Sequence, residues 1–230
     1  MPRSGRTFIW FHCLFCNHMW KFHIDEDVVN PTVELTGEIF VATKSGIKRR
    51  LGSVKVGAIP EDVLIKHLES KALHGARKRQ DLQRNIDSLS ANLKVARAEE
   101  ERLWKIQKRD ESDRQKAKAW SAAFNKIKSI GKRIEDLRVQ RQHLTSGEYF
   151  FHGLPSPVSA AKTDDDGRFT IVIPRHGRYG IVARTTVEQG EGTETYFWIV
   201  WVSVRGQYSK RLTLSNDNMV GAGSPDSALP

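Results

Sequence analysis

The chain has 230 residues, 39% of them hydrophobic and 28% charged, and a formal net charge of +10. That length and apolar content suit one or two soluble domains, each with its own core. No run of about 18 apolar residues is present, which excludes an ordinary membrane-spanning helix, and two cysteines three positions apart exclude a disulfide framework that staples a fold.

The N-terminal segment, residues 1–32, has an apolar stretch from Thr7 to Trp20 behind Arg3 and Arg6. It has the outline of a signal-peptide core, but His12, Asn17 and His18 interrupt it and no small-x-small cleavage site follows. No leader is expected, and a cytoplasmic location is preferred. Within this segment Cys13, Cys16, His18 and His23 form the one metal-like set. A CxxC pair presents two thiolates suited to tetrahedral zinc, and the histidines offer nitrogen ligands. A zinc site normally draws its second pair from a dozen or more residues away, and no further cysteine exists. The set is half a zinc ribbon at best, and the plainer expectation is an apolar strand without cofactor.

From Val33 to Ile59 the apolar spacing is two, the period of strands. Gly37–Thr43 and Leu51–Ile59 read as strands around a turn at Lys44–Gly46. Pro60 with Glu61 and Asp62 then reads as a helix start, with proline at the first helical position.

From Glu61 to Leu144 there is no proline, and the spacing changes to alternating three and four. One seam runs through Leu82, Ile86, Leu89, Leu93, Ala96 and Leu103, with Glu100 in one seam place. A second runs through Trp120, Ala123, Ile127, Ile130, Ile134 and Leu137, continuing to Arg141 and Leu144. Seams this long predict coiled-coil helices. The wholly polar stretch Gln107–Lys116 predicts a turn near Asp110–Asp113, which sets Leu82 near Leu137, Ile86 near Ile134 and Leu89 near Ile130.

After Gly147 the period returns to two. Thr163-Asp-Asp-Asp-Gly167 predicts a tight turn rather than a calcium loop, which would need ligands at alternate positions and a later Glu. Strands are expected at Arg168–Pro174, Arg175–Arg184 and Tyr208–Leu214, with a turn at Gln189–Gly192. Tyr196–Val204, apolar at consecutive positions, is expected to be a central strand. Trp198 and Trp201, three apart, are expected on opposite faces. The tail 220–230 is small and polar, and disorder is expected there.

The run from Ala161 to Ala183, with its T-D-x-D-G-x-F turn (Thr163–Phe169), a strand, P-x-x-G-x-Y (Pro174–Tyr179) and another strand, resembles carboxypeptidase regulatory-like domains. Those are transthyretin-like β-sandwiches. Gly37–Val41 and Leu51–Ala58 resemble the family's first two strands, so the helical segment falls as an insertion between its second and third. The layout also looks like that of uncharacterised bacterial proteins ending in S-N-D-N, here Ser215–Asn218, although their N-terminal membrane anchor is not evident. The resemblance implies a non-catalytic accessory fold and supplies no ligand.

The expected fold is therefore α+β. It comprises an antiparallel β-sandwich (33–59 with 147–219) and an inserted long antiparallel α-helical coiled-coil hairpin (60–146). The hairpin holds most of the positive charge: residues 61–145 carry 21 Lys/Arg against 13 Asp/Glu. Arg77, Lys78, Arg79, Lys126, Lys128, Lys132 and Arg133 are the candidates for meeting an acidic partner, nucleic acid or an anionic membrane surface. Acids at Glu99–Glu101, Asp110, Glu111 and Asp113 dilute that field toward the tip. No nucleophile elbow, HExxH or spaced carboxylate pair is present. The expectation is a non-enzymatic scaffold or interaction module, meeting a protein partner or itself through the hairpin, with no small-molecule substrate. Sequence-independent nucleic-acid binding is the alternative.

Overall fold

The computed structural model describes residues 7–12, 19–24, 32–42, 48–109, 113–175, 177–189, 192–204 and 209–220. The chain is mixed α+β, with a long helical hairpin inserted between strands. Strands β1 (Thr7–His12) and β2 (Met19–Ile24) pair antiparallel as a separate sheet. Then come β3 (Thr32–Ala42), β4 (Lys48–Arg50) and β5 (Lys55–Pro60), followed by helices α1 (Glu61–Arg109), α2 (Arg114–His143) and α3 (Gly147–Phe151). Strands β6 (Ser159–Lys162), β7 (Arg168–Pro174), β8 (Arg178–Gln189), β9 (Gly192–Ser203) and β10 (Ser209–Leu214) complete the order.

One four-stranded sheet is organised around β3. Its burial alternates strictly, with Val33, Leu35, Ile39 and Val41 inside, as the period of two requires. Along one edge β10 runs parallel to it, Ser209 beside Glu34 through Leu214 beside Ile39. Along the other edge β7 pairs antiparallel with Thr32–Glu38, and β4 continues with Phe40–Ala42. Ile39 marks the handover: its N–H donates to the Gly167 carbonyl at 2.8 Å, and its carbonyl accepts from the Leu51 N–H at 3.1 Å. The second sheet has the order β6-β5-β8-β9, antiparallel throughout. The core joins Leu35, Ile39, Ile171 and Ile173 of the first sheet to Val56, Ile181, Trp198 and Val202 of the second. Trp198 is fully buried, and its Nε1–H donates to the Ser215 carbonyl at 2.8 Å, so the indole brings no unpaired polar atom inside.

The turn expected at Thr163–Gly167 is present. Gly167 has φ +73°, and a Cβ there would stand 2.6 Å from the Ile39 carbonyl oxygen, so both conformation and space require glycine. The Asp164 carboxylate accepts from the Arg168 N–H at 2.7 Å, and Asp166 pairs with Arg50 at 3.4 Å. Turn chemistry thus accounts for Asp164 and Asp166 of the aspartate run.

Several expectations are corrected. Strand β9 is an edge strand of its sheet, not a central one. Its two-faced apolarity has another cause: Val182 and Ile199 on the outer face are buried too, and Leu64 of α1 lies over Gly180 on that face. The open edge of β9 is protected by the C-terminal chain, where Met219 bridges to Trp198 and the Val220 N–H donates to the Phe197 carbonyl at 2.9 Å. Val220, assigned by sequence to a disordered tail, is buried; residues 221–230 lie outside the described residues. Pro60 ends β5 opposite Tyr179, and the helix begins at Glu61. Leu51–Ser53 is a turn, with Ser53 at φ +60°, so the strand starts only at Lys55. Helix α3 and strand β6 were not foreseen.

The chain divides into two compact units. One contains the strands together with the start of α1, up to His67, and the other spans Leu68–Gly153. No helix among the described residues is long and apolar enough to cross a membrane.

Candidate interaction surface

The helical unit follows from its seams. Helix α1 opens with Glu61 and Asp62 and ends with Lys108 and Arg109, charges that complement the helix dipole at both ends. Asp113 caps α2, its carboxylate accepting from the Gln115 N–H at 2.9 Å and the Lys116 N–H at 3.3 Å. The Lys116 ammonium and those two N–H groups hold the Asp113 carboxyl below the usual carboxylate range. The helix break therefore falls between Arg109 and Asp113, where the polar stretch places it; residues 110–112 lie outside the described residues.

Side-chain hydrogen bonds tie α1 to the returning chain. Arg141 donates to Gln83, the Trp120 Nε1–H donates to Glu100 at 2.6 Å, and the Tyr149 hydroxyl donates to the Lys71 carbonyl at 3.1 Å. Leu82, Ile86, Ile134, Leu137 and Leu144 make a buried cluster, with Leu89, Leu93, Ile130 and Tyr149 packed against it. Burial also pushes the Tyr149 hydroxyl's pKa up, against the opposing charge of Arg79. Glu100, the polar residue in the seam, is accommodated because Trp120 supplies its donor.

Burial is uneven along the seam. Toward the base Leu82, Ile86, Ile134 and Leu137 are buried, but toward the tip Leu93, Leu103, Trp120, Ala123 and Ile127 are only half-buried. On one side of this distal half lies an open groove of about 590 Å³, lined by Leu89, Asn92, Val95, Ala96, Glu99, Ala123, Lys126 and Ile130. Val95 is 71% exposed there. Outside this groove, Trp104, Trp120 and Phe124 stack in sequence, at centroid separations of 5.4 and 5.8 Å, with Trp104 and Phe124 about half exposed. Two helices cannot enclose a wide apolar seam by themselves, because each side of the contact stays open to solvent.

The basic candidates do not merge into one patch. Arg77, Lys78 and Arg79 lie at the base, near the level of Leu144 and Tyr149, and successive helical positions turn by about 100°. Lys126, Lys128, Lys132 and Arg133 are exposed farther along α2, and of these Lys126 lines the groove. Ion pairs within each helix, such as Arg102 with Glu99 at 2.8 Å and Lys105 with Glu101 at 2.8 Å, compensate other cations locally.

Of the metal candidates, Cys13, Cys16 and His18 lie outside the described residues, and His23 is placed only by its backbone, opposite Phe8 in β2. No group of three or more His, Cys, Asp or Glu able to hold a metal occurs among the described residues. On the sandwich, Arg49, Arg50 and Gly52 face Thr185–Glu188 across a shallow polar groove of about 330 Å³. Sequence reasoning missed both grooves, because a groove depends on which faces neighbouring elements leave uncovered.

No family model and no curated protein matches this chain. Among solved structures it is similar to a putative carbohydrate binding protein from Pseudomonas aeruginosa, at 13% identity and a TM-score of 0.34, covering 81% of this chain and 89% of that one. A likeness that loose carries neither fold detail nor function from that protein to this one.

Proposed function

We propose that the protein is a non-enzymatic interaction module, in which a sandwich of carboxypeptidase regulatory-like type carries a helical hairpin that docks on a protein partner. The observation that carries this reading is the open apolar groove between Leu89, Val95 and Ala96 of α1 and Ala123 and Ile130 of α2. An open groove with Val95 exposed on its wall favours a macromolecular partner, since a small ligand is better held in an enclosed pocket. The sandwich type is supported by the Thr163–Gly167 turn, whose glycine has the positive φ and close backbone approach that the T-D-x-D-G pattern implies.

The test is site-specific photo-crosslinking of the full chain in its host cell, with the probe at Val95 or Trp104 and control probes at Val158 and Val172 on the sandwich. Discrete adducts from the hairpin positions alone are the expected result. Equal labelling from hairpin and sandwich, or none from the hairpin, overturns the reading. The second reading, sequence-independent nucleic-acid binding, rests on exposed Lys126, Lys128, Lys132 and Arg133 and makes a distinct prediction, given below.

A further inference from the structure

We infer that the partner of the groove is a second copy of this chain, the two hairpins closing into a four-helix bundle. This rests on the reading of the hairpin as a docking arm and names what docks on it.

The argument starts from charge. On the groove side of α1, exposed positions recur at spacings of three and four: Asn85, Ser88, Asn92, Val95 and Glu99. On the groove side of α2 the corresponding exposed positions are Ala119, Ala122, Lys126, Ser129 and Arg133. In a helical unit dense in charge, this side carries one acid, Glu99, on α1 and two bases, Lys126 and Arg133, on α2 across these positions, with small or neutral residues between. Solvated helix faces are normally laced with charge, whereas the contact faces of bundles are not.

The register supplies the geometry. Because Glu100 meets Trp120, Ala96 stands level with about Ala123, and Leu89 with about Ile130. A two-fold axis along the hairpin sets α1 of each copy against α2 of the other at the same level. Ala96 then faces Ala123 of the second copy, where two methyl groups let the helices approach, and Leu89 faces Ile130. Helical side chains lean toward their own N-terminus. Glu99 therefore leans toward the base and Lys126 toward the tip, which brings the two charges together across the interface. Glu99 is paired with Arg102 on its own helix, and each carboxylate oxygen retains a further acceptor site for the incoming ammonium. By symmetry every such pair occurs twice.

The test is sedimentation equilibrium of the full chain. Wild type is expected to be dimeric at micromolar concentration. Glu99→Lys or Lys126→Glu alone should weaken the dimer about tenfold, since each places like charges together twice, and the double variant should recover most of that loss. Val95→Glu, at an exposed position, should give a monomer with an unchanged circular-dichroism spectrum. A wild-type monomer at about 100 μM overturns the inference, as does a dimer indifferent to Val95→Glu or one not restored by the double reversal. If such a monomer still gives hairpin-specific adducts of another mass, the docking-arm reading stands and only the second copy is excluded.

Discussion

The side chain of Thr163 and the backbone of Val54 are joined by a buried hydrogen bond, the Val54 N–H donating to Thr163 Oγ1 at 2.9 Å. The same hydroxyl donates to the Leu51 carbonyl at 2.7 Å. The Thr163 backbone completes the clasp, with its N–H donating to the Val54 carbonyl and its carbonyl accepting from the Ser53 N–H. The residue ahead of β7's turn thereby fixes the loop leading into β5, more than a hundred positions earlier, and does so on the far side of the helical insertion in sequence.

Thr163→Val keeps the shape and removes both hydroxyl bonds, leaving the Val54 N–H and Leu51 carbonyl without that partner. The expected cost is about 2–4 kcal/mol, from two net hydrogen bonds and the desolvated groups left behind. Thr163→Ser should cost less than half as much. Urea denaturation of the full chain measures both, and equal midpoints for Val and Ser would show that the two hydroxyl bonds contribute nothing.

Glycine substitutions should act in opposite directions at two positions. Gly167→Ala meets both a positive φ and the Ile39 carbonyl, and a loss of about 2 kcal/mol or more is expected. Gly131 lies inside α2, and a methyl group added there would have nothing within 4 Å, so Gly131→Ala should stabilise by about 0.8–1 kcal/mol through helix propensity alone. Thermal melts that lower with Gly131→Ala would mean that α2 is not a continuous helix there.

The Asp113 cap predicts a pH dependence of definite sign. Its folded carboxyl pKa is depressed by Lys116 and by the Gln115 and Lys116 N–H groups. Its contribution is therefore present above the unfolded carboxyl value, near about 3.9, and is lost as pH falls through the folded one. Wild type should be more stable than Asp113→Ala at pH 7, with the gap shrinking toward pH 3. Asp113→Asn, which retains an acceptor without titrating, should differ from Asp113→Ala by the same amount at both pH values. Melting curves followed by helical circular dichroism read these gaps directly.

Dispersed cations should make a poor duplex-binding surface. Anisotropy titration of a short mixed-sequence duplex is expected to show no hairpin-dependent binding at about 150 mM salt. The nucleic-acid reading requires the reverse. Its affinity would collapse between about 50 and 200 mM salt as several phosphate contacts are screened, and would fall further when Lys126, Lys128, Lys132 and Arg133 are replaced by Gln.

The elements were legible in the sequence wherever one periodicity governs. Val33–Val41 alternates because one face of β3 meets the core, and the seams from Leu82 to Leu103 and from Trp120 to Leu144 recur at three and four because each helix turns one stripe to its neighbour. The polar run after Gln107 located the helix break, and Gly167 located the turn, since only glycine suits that backbone.

Other features were settled by tertiary packing. The consecutive apolar residues of β9 report that both faces are covered, and sequence cannot distinguish a neighbouring strand at the edge from Leu64 lying over the outer face. Thr163 reads as an ordinary turn residue until Leu51 and Val54 are folded beside it. The groove beside Val95 exists because two helices in a fixed register leave one side of their contact open, and that register is a property of the pair. Local spacing and backbone preference act within a few residues and are written in the chain itself. Which strand lies at an edge, which hydroxyl is buried and which seam stays open are decided by contacts between residues far apart, and so only by the folded structure.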